Sequence, residues 1–549
     1  MRVKRPLFKL ILLLGIVYTG GHLAYLYFPF EAPSDPADQS PRISNHVVSS
    51  PQADRAVSSI EFASSESETP LDFQPPSNLA QSDELLVNFG NIDSYQRFNE
   101  SANLHGIEII ARNDALLALR LRVQDSIGAN QIRHLAGSDA SFDYNYLVAA
   151  PLIPQPAPSG GGSTPFLDRA LDWLGVPENN QEWGKGITIA LLDTGVSDHS
   201  SLESSSISQL DLIEDSGGDE SAYHGHGTAI ASLIVGQEGL GIAPAAELVS
   251  IQVMDSDGIG DSFTLAEGIL QAVESGATIV SMSLGSYGYT SVLENAVNFA
   301  LANDVVLVAS AGNDGANAAP YPARFENVIG VAAVDADSQR ADFSNFSSSI
   351  DIAAPGVDVI AAWGEENWIR FSGTSAAAPY VAGGIAATMS LDAQLSPQEA
   401  ASTVLTYSDD TAAPGKDAET GAGSLNMDRV INRDERGIYD AAVGDFYLDI
   451  QSSTETTTPL QVTVQNRGTE HLPNVSISLS QNNGYPQKIY LGSLSEHETT
   501  SYTLYLDNSQ LALESGYSID AEIQLTSRKD SRPENDTKSG TLRILPKDP

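Results

Sequence analysis

The stretch Phe371-Ser372-Gly373-Thr374-Ser375-Ala376-Ala377-Ala378-Pro379 passes from a short polar turn into a long apolar segment rich in small residues. Such a segment predicts a buried helix, and Ser375 lies where that helix begins. Free backbone N–H groups and the positive end of the helix dipole stabilise negative charge at this position. Ser375 is therefore either a helix N-cap or a nucleophile, and the stretch alone favours the N-cap.

Two stretches upstream favour the nucleophile. Asp193 directly follows a buried strand predicted at residues 187–192, and His226 directly precedes a helix predicted at 229–235. Active groups of a parallel sheet lie at the carboxyl ends of strands and at the starts of the helices that follow. A serine attacks a carbonyl, a histidine carries the proton, and an aspartate orients the imidazolium. Each residue alone has an ordinary structural explanation, but together they predict a catalytic Asp193-His226-Ser375 triad.

Asn313 is a candidate for a fourth residue of the same site. Asn313 closes the stretch Val308-Ala309-Ser310-Ala311-Gly312-Asn313 and can donate a hydrogen bond to an oxyanion, although a turn residue is the ordinary interpretation. His224 lies two residues before His226, but only His226 precedes Gly-Thr and an apolar helix.

The alternation of apolar strands and helices around these residues predicts the fold class. Apolar strands at 187–192, 248–253, 277–282 and 305–309 alternate with helices at 264–275 and 291–301. Near-continuous apolar strands separated by helices indicate an α/β domain with a doubly wound parallel sheet, which we place at residues 166–432. Ser396-Pro397-Gln398-Glu399 is a capping box that predicts another helix start.

Composition limits the partners. The chain has 549 residues, which predicts several domains, and its 71 Asp and Glu against 28 Lys and Arg give a net charge of −43. This charge argues against nucleic acid and anionic membrane surfaces as partners because both would be repelled. The absence of cysteine excludes disulfides and a thiol nucleophile.

The amino terminus predicts export. Basic residues precede the uncharged apolar segment 10–30, and acidic residues follow it. This order places the remaining chain outside the cytosol, in a periplasmic, extracellular or membrane-anchored location. Residues 1–30 are either a membrane anchor, which we favour, or a cleaved signal peptide. Residues 31–82 are rich in Ser, Pro, Asp and Glu and predict a disordered linker.

Two further domains flank the α/β domain. Residues 83–150 predict a small α+β (ferredoxin-like) unit with the order βαββαβ, followed by a Pro- and Gly-rich linker at 151–165 that a protease could reach. Residues 440–549 predict seven short strands separated by turns, as in an immunoglobulin-like β-sandwich.

The motifs around the triad resemble those of the subtilisin-like serine proteases, the subtilase family. The matching segments are Asp193-Thr194-Gly195, His226-Gly227-Thr228, Ser283-Leu284-Gly285, Ala311-Gly312-Asn313, Ile352-Ala353-Ala354-Pro355-Gly356, Gly373-Thr374-Ser375 with Pro379, and Gly421-Ala422-Gly423. The resemblance implies a serine endopeptidase that forms an acyl-enzyme on protein or peptide substrates, with Asn313 in the oxyanion hole. It also implies that Gly258-Ile259-Gly260 and Ser283-Leu284-Gly285 flank an extended peptide, which adds as a strand.

The family also carries a propeptide and often calcium. By resemblance, residues 83–150 are an intramolecular inhibitor that is cut away, with cleavage within 149–165. The chemistry needs no cofactor. Ser201 stands where family members have a calcium-binding aspartate, which puts the common calcium site in doubt. The acidic residues Asp211, Glu214, Asp215, Asp219 and Glu220 are interpreted as a solvated loop, with a cation site as the alternative.

Two alternative functions stay open. One is an inactive subtilase-like scaffold, which the complete set of motifs disfavours. The other is an adhesion or matrix-binding protein in which residues 440–549 have the main role, because Val464-Gln465-Asn466-Arg467-Gly468-Thr469 resembles the CARDB-type adhesion modules of bacterial secreted enzymes.

Overall fold

The computed structural model describes residues 42–44, 79–152, 163–213, 223–511, 517–525 and 528–545. The predicted leader at 1–30, most of the predicted linker at 31–82, and residues 153–162 lie outside these ranges. Glu214, Asp215, Asp219 and Glu220 of the acidic loop also lie outside them. In the described ranges, no helix combines the length and the apolar character needed to cross a bilayer.

A small α+β unit follows the short strand β1 (Arg42–Ser44). Its elements are β2 (Ala80–Phe89), α1 (Ile92–Ala102), β3 (Ile109–Asn113), β4 (Ala118–Arg122), α2 (Ser126–Ala136) and β5 (Ala140–Ala149). The four strands pair antiparallel in the order β3-β4-β2-β5. Asn91 and Asp125 cap the two helices, because each side chain accepts a hydrogen bond from a first-turn backbone N–H. The helices cover one face of the sheet through Phe98 and Ile132.

A seven-stranded parallel sheet forms the centre of the α/β domain, as predicted. The elements are α3 (Ala170–Trp173), β6 (Thr188–Asp193), β7 (Ser206–Asp211), α4 (His226–Val235), β8 (Glu247–Gln252), β9 (Ile259–Asp261), α5 (Ser262–Glu274), β10 (Ile279–Met282), α6 (Ser291–Ala302), β11 (Val306–Ser310), β12 (Ile329–Val334), β13 (Ile350–Pro355), β14 (Val359–Trp363), β15 (Asn367–Phe371), α7 (Thr374–Leu391), α8 (Pro397–Thr406) and α9 (Met427–Ile431). The strand order is β13-β12-β11-β10-β6-β8-β7, and the neighbours are parallel. The predicted capping box of α8 is confirmed, since Ser396 and Glu399 bond each other's backbone N–H.

Helix α7 is the buried helix that the opening stretch predicts. Every residue from Thr374 to Met389 is buried, which small side chains permit because neighbouring elements can approach closely. At Gly383 an added Cβ would lie 2.2 Å from the side chain of Ile242, so only glycine fits there. The helix start, and with it Ser375, is therefore fixed by packing along the whole helix.

The C-terminal region is rich in strands and forms two antiparallel sheets. Its elements are β16 (Ala441–Leu448), β17 (Thr457–Asn466), β18 (Leu472–Gln481), β19 (Gln487–Leu494), β20 (Thr499–Asp507), α10 (Asn508–Leu511), β21 (Tyr517–Leu525) and β22 (Thr537–Leu545). The sheet orders are β16-β17-β20 and β1-β22-β21-β18-β19. Buried apolar residues of both sheets, including Phe446, Leu460 and Ile477, form a common core. Each of the seven strands predicted within residues 440–549 overlaps one of the strands β16 to β22.

Candidate active site

Asp193 and His226 meet at the carboxyl edge of the sheet. Asp193 ends β6 and His226 begins α4, and the imidazole Nδ1 lies 2.7 Å from the carboxylate Oδ1. Both side chains are fully buried. Thr194 donates its backbone N–H to the same carboxylate oxygen, and its hydroxyl accepts from Gly227. A Cβ at Gly227 would lie 2.1 Å from the Gly195 carbonyl oxygen, so the Gly in this motif lets α4 start against the turn after β6.

Ser375 is the second residue of α7. Its hydroxyl Oγ, the His226 Nε2 atom and the second carboxylate oxygen of Asp193 are all buried without a hydrogen-bond partner. Phe371, four residues before Ser375, packs edge-on against the imidazole with 5.6 Å between ring centroids. Asp193 thus holds one imidazole nitrogen, while the other imidazole nitrogen and the Ser375 hydroxyl are not committed to any other group.

Asn313 is fixed by the residue next to Ser375. Its Oδ1 accepts from both the backbone N–H and the hydroxyl of Thr374, each at 2.9 Å. Because the oxygen is held in this way, the amide nitrogen is left to donate elsewhere. It donates to the carbonyl oxygen of Leu152 at 2.9 Å. Thr374 was part of the serine motif in the sequence, but its contact with Asn313 was not predicted.

The chain's own residues 147–150 lie between the two predicted substrate-lining segments. On one side β5 pairs antiparallel with β9, so that Leu147, Val148 and Ala149 face Asp261, Gly260 and Ile259. Ala150 also donates its N–H to the Gly258 carbonyl at 2.9 Å.

On the other side, Ala149 exchanges two backbone hydrogen bonds of 2.9 Å with Gly285. Leu284 is buried in the core, and Ser283 donates its hydroxyl to the Ser375 carbonyl at 3.1 Å. The three residues from Ser283 to Gly285 thus connect the bound strand to the start of α7. The extended segment enters as the middle strand of three and ends with the Leu152 carbonyl on Asn313.

Polar side chains of β5 also hold the helices of the α/β domain. Asp143 accepts from the backbone N–H and hydroxyl of Ser291, at 2.8 and 2.6 Å, in the first turn of α6. Asn145 accepts from the Phe263 N–H at 3.2 Å in the first turn of α5. Burial raises the pKa of Asp143, while its hydrogen bonds from Ser291 act in the opposite direction. Sequence analysis gave no role to either residue.

A second polar cluster lies at the same contact. Arg120 forms ion pairs with Glu84 at 2.7 Å within the small unit and with Asp261 at 3.1 Å across to the α/β domain. Asn145 donates to Glu84 at 2.7 Å. Both helix starts and the β9 strand are therefore contacted by the small unit.

His224 does not take part in this arrangement. Its ring lies edge-on to Trp363, with 6.0 Å between centroids, whereas His226 holds Asp193. Of these two histidines, His226 is thus the one that contacts Asp193.

The place of the family's calcium-binding aspartate does not fit a cation. The Ser201 hydroxyl bonds the His199 ring at 2.9 Å, and the Ser201 carbonyl accepts from the Gln237 backbone. The Gln237 side-chain amide donates to the Ser205 hydroxyl and to the carbonyls of Val235 and Pro244, at 3.0–3.1 Å. Amide hydrogens therefore bond the Ser201, Val235 and Pro244 carbonyls, and no carboxylate stands at position 201. Throughout the described ranges, no group of three or more His, Asp or Glu is arranged to hold a metal.

Comparisons with known proteins match the α/β domain. The model of the subtilase family, Peptidase_S8, matches residues 184–423. A thermostable alkaline protease of Halalkalibacterium halodurans is 40% identical over 212 residues, which are 37% of this chain and 57% of that protein. Subtilisin BL of Lederbergia lenta is 38% identical over 207 residues, which are 37% of this chain and 76% of that protein.

One solved structure is similar in fold over a larger share of this chain. Fervidolysin from Fervidobacterium pennivorans, a keratinolytic enzyme related to subtilisin, is 22% identical, with a TM-score of 0.55 over 81% of this chain and 71% of that one. With the identities of the curated relatives, these matches establish the family. The chain belongs to the subtilase family of subtilisin-like serine proteases.

Proposed function

We propose that the protein is an exported serine endopeptidase that cleaves peptide bonds through an acyl-enzyme on Ser375. The observation that supports this most strongly is the peptide carbonyl of Leu152 on the Asn313 amide, in the same region as the Asp193-His226 pair. Export rests on the sequence of residues 1–30 alone.

The reaction uses only side chains and backbone of this chain. His226 Nε2 takes the Ser375 proton as the hydroxyl attacks the peptide carbonyl, and Asp193 stabilises the resulting imidazolium through Nδ1–H. The carbonyl oxygen gains negative charge and is stabilised by the Asn313 amide. His226 then returns the proton to the leaving amine. Water attacks the acyl-enzyme by the same route and releases the acid.

Covalent labelling tests the proposed chemistry. A fluorophosphonate probe is expected to modify the processed protein once, at Ser375, because the proposed reaction makes this hydroxyl the nucleophile and His226 its base. Peptide mapping by mass spectrometry locates the adduct, and inhibition of peptide hydrolysis should follow the labelled fraction. A protein that hydrolyses peptides but labels at another residue, or that never labels, would contradict the assignment.

We also propose that residues 83–150 form a propeptide that the enzyme removes itself, by cutting the bond after Leu152. The strand pairings of residues 147–150 orient the chain, and the Asn313 contact selects the Leu152 carbonyl. Beyond the linker, Thr164 donates its N–H to Asp335 at 2.8 Å and Phe166 donates to Val357 at 3.0 Å. The chain after the cut is therefore tied to the α/β domain, and the chain before it to the small unit.

A charged residue at the cut should slow self-processing. Leu152→Asp is expected to lower the processing rate about 100-fold, because the added carboxylate repels the negative charge that develops on the adjacent carbonyl oxygen. Leu152→Met is the matched control and should process within about threefold of wild type. Gel electrophoresis gives the rates, and amino-terminal sequencing should find the mature wild-type protein starting at Ile153. Equal rates for Leu152→Asp and wild type, or a different start, would refute this cut.

A further inference from the structure

The oxyanion-donor loop, which we define as residues 312–316, is held on the side opposite Thr374 by one fully buried side chain. That residue is Asn345, which is 0% exposed. Its Oδ1 accepts from the backbone N–H of Asp314 at 3.0 Å and of Ala316 at 2.8 Å. Its backbone N–H donates to the Gly312 carbonyl at 3.0 Å. Asn345 therefore bonds the backbone immediately before and immediately after Asn313.

The amide nitrogen of Asn345 is also used. It donates to the Tyr287 hydroxyl at 2.8 Å, and that hydroxyl in turn donates to the Asp314 carboxylate. Burial raises the pKa of Tyr287 well above its ordinary value, so the phenol stays a donor to Asp314. Both polar atoms of Asn345 are thus committed to the loop or to a residue that bonds the loop.

Gly312 shows how closely Asn345 approaches this loop. Its φ is +92°, and an added Cβ would lie 2.4 Å from the Asn345 amide nitrogen. The backbone can take this path only as glycine, and the path keeps the Gly312 carbonyl on the Asn345 N–H. On the other side Gly312 donates its N–H to the Thr374 hydroxyl at 3.1 Å.

We propose that Asn345 is a positioning residue for the oxyanion hole, which fixes the backbone on both sides of Asn313 and so aims its amide at the developing oxyanion. A donor fixed in advance needs no reorganisation as charge develops, and an error of about 1 Å is costly. This role rests on the proposed acyl-transfer function and assigns a residue outside the triad and outside the segments that match the family. Asn345 acts through Asn313 and does not itself touch the substrate.

Kinetics of Asn345→Ala should show this role. We expect kcat for a peptide anilide to fall about 10–100-fold while KM stays within about threefold, since the alignment matters most in the transition state. This is less than the about 10²–10³-fold known for removing the donor itself in subtilisin, the reference case and a relative of this chain. Tyr287→Phe removes the partner of the Asn345 amide nitrogen and the hydrogen bond to the Asp314 carboxylate, but it leaves the Asn345 bonds to the loop backbone and should lower kcat less than tenfold.

A double-mutant cycle separates positioning from general structural damage. In an Asn313→Ala background, Asn345→Ala should change kcat by less than about threefold, because the donor that it positions is already gone. Asn180→Ala is the matched control, since Asn180 is another buried amide and holds the Gly241 carbonyl. It should lower the melting temperature but leave kcat within about twofold.

Two results would overturn the inference. One is that Asn345→Ala lowers kcat by the same factor in the Asn313→Ala background as in the wild-type protein. The other is that Asn345→Ala has the kcat of the wild-type protein. Circular dichroism and melting curves of each variant identify any protein that has not folded. If Asn345→Ala does not fold, the kcat of Tyr287→Phe is measured in its place, with the smaller decrease given above. Failure of the proposed function itself would look different, because the wild-type protein would then neither label at Ser375 nor hydrolyse peptides.

Discussion

Replacing Ser375 with alanine is expected to leave the chain full length and to lower kcat by about 10⁶-fold. The magnitude is the one known for this change in subtilisin itself, where residual rate comes from substrate binding and the oxyanion hole. The present structure gives the physical reason for expecting the same here. The Ser375 hydroxyl and His226 Nε2 are buried and have no hydrogen-bond partner among the described residues, so neither is committed to another role.

The readouts are gel electrophoresis over time and hydrolysis of a peptide anilide. Ser372→Ala is the matched control, because it removes a hydroxyl three residues earlier that bonds Asp358 and not the triad. It should process and hydrolyse within about threefold of wild type. A purified Ser375→Ala protein that is cut after Leu152 as fast as wild type would exclude self-processing, and one that still hydrolyses peptides would exclude Ser375 as the nucleophile.

Side chains that perform chemistry were the easiest part to predict. Asp193 and His226 each stand at the junction of an apolar strand or helix and a glycine-containing turn, and such junctions can be recognised locally. The structure brings these two into contact. The parallel sheet was predictable for the same reason, since strands buried on both faces are apolar throughout.

Residues that act through others could not be predicted in this way. Asn345 bonds the loop at 312–316 from about 30 positions away, and nothing in the surrounding sequence distinguishes it from an ordinary turn residue. Leu152 lies 161 positions from Asn313. The hairpin of β14 and β15 was also missed, although β15 leads directly into the turn before Ser375. Such contacts depend on the path of the whole chain, which local patterns do not contain.

The contacts between the α/β domain and the C-terminal region were also not predictable from local sequence patterns. Sequence analysis compared Gln465 and Arg467 with an adhesion motif. In the structure Gln465 is 4% exposed, accepts from the Asp410 N–H at 2.9 Å and donates to the Ser408 carbonyl at 3.2 Å. Arg467 pairs with Asp409 at 3.1 Å. These side chains of the motif therefore contact the α/β domain and are not presented to a separate partner.

Further contacts extend this interface. Arg429 is 2% exposed and pairs with Asp409 at 3.3 Å, so that Asp409 holds one arginine from each domain. Tyr407 stacks edge-on with His497 at 4.4 Å between ring centroids, and Ala412 donates its N–H to Asp445 at 3.1 Å. Burial lowers the pKa of Arg429, although the nearby Asp409 acts in the opposite direction. The buried guanidinium therefore depends on its protein partners. A stabilising role for residues 440–549 explains these contacts better than adhesion does.

Deleting residues 440–549 is therefore expected to destabilise the α/β domain. The truncated chain loses the partners of Asp410 and Ser408 and exposes the buried Arg429, and we expect its melting temperature to fall by more than about 10 °C. In the full chain, Arg467→Ala should give a smaller decrease, about 1–3 kcal/mol or roughly 5 °C, because Asp409 keeps Arg429. Lys488→Ala, on the exposed strand β19, is the matched control and should leave stability within about 0.5 kcal/mol.

Differential scanning calorimetry of the inactive Ser375→Ala background makes this comparison without self-digestion. If the C-terminal region is instead a freely attached adhesion module, truncation should leave the melting temperature of the α/β domain within about 2 °C, and Arg467→Ala should match Lys488→Ala. The distinction is sharp because an independent module shares no buried charge with its neighbour. Here Asp409 joins Arg429 and Arg467 across the boundary, so removal of one side must leave the other with an incompletely paired charge.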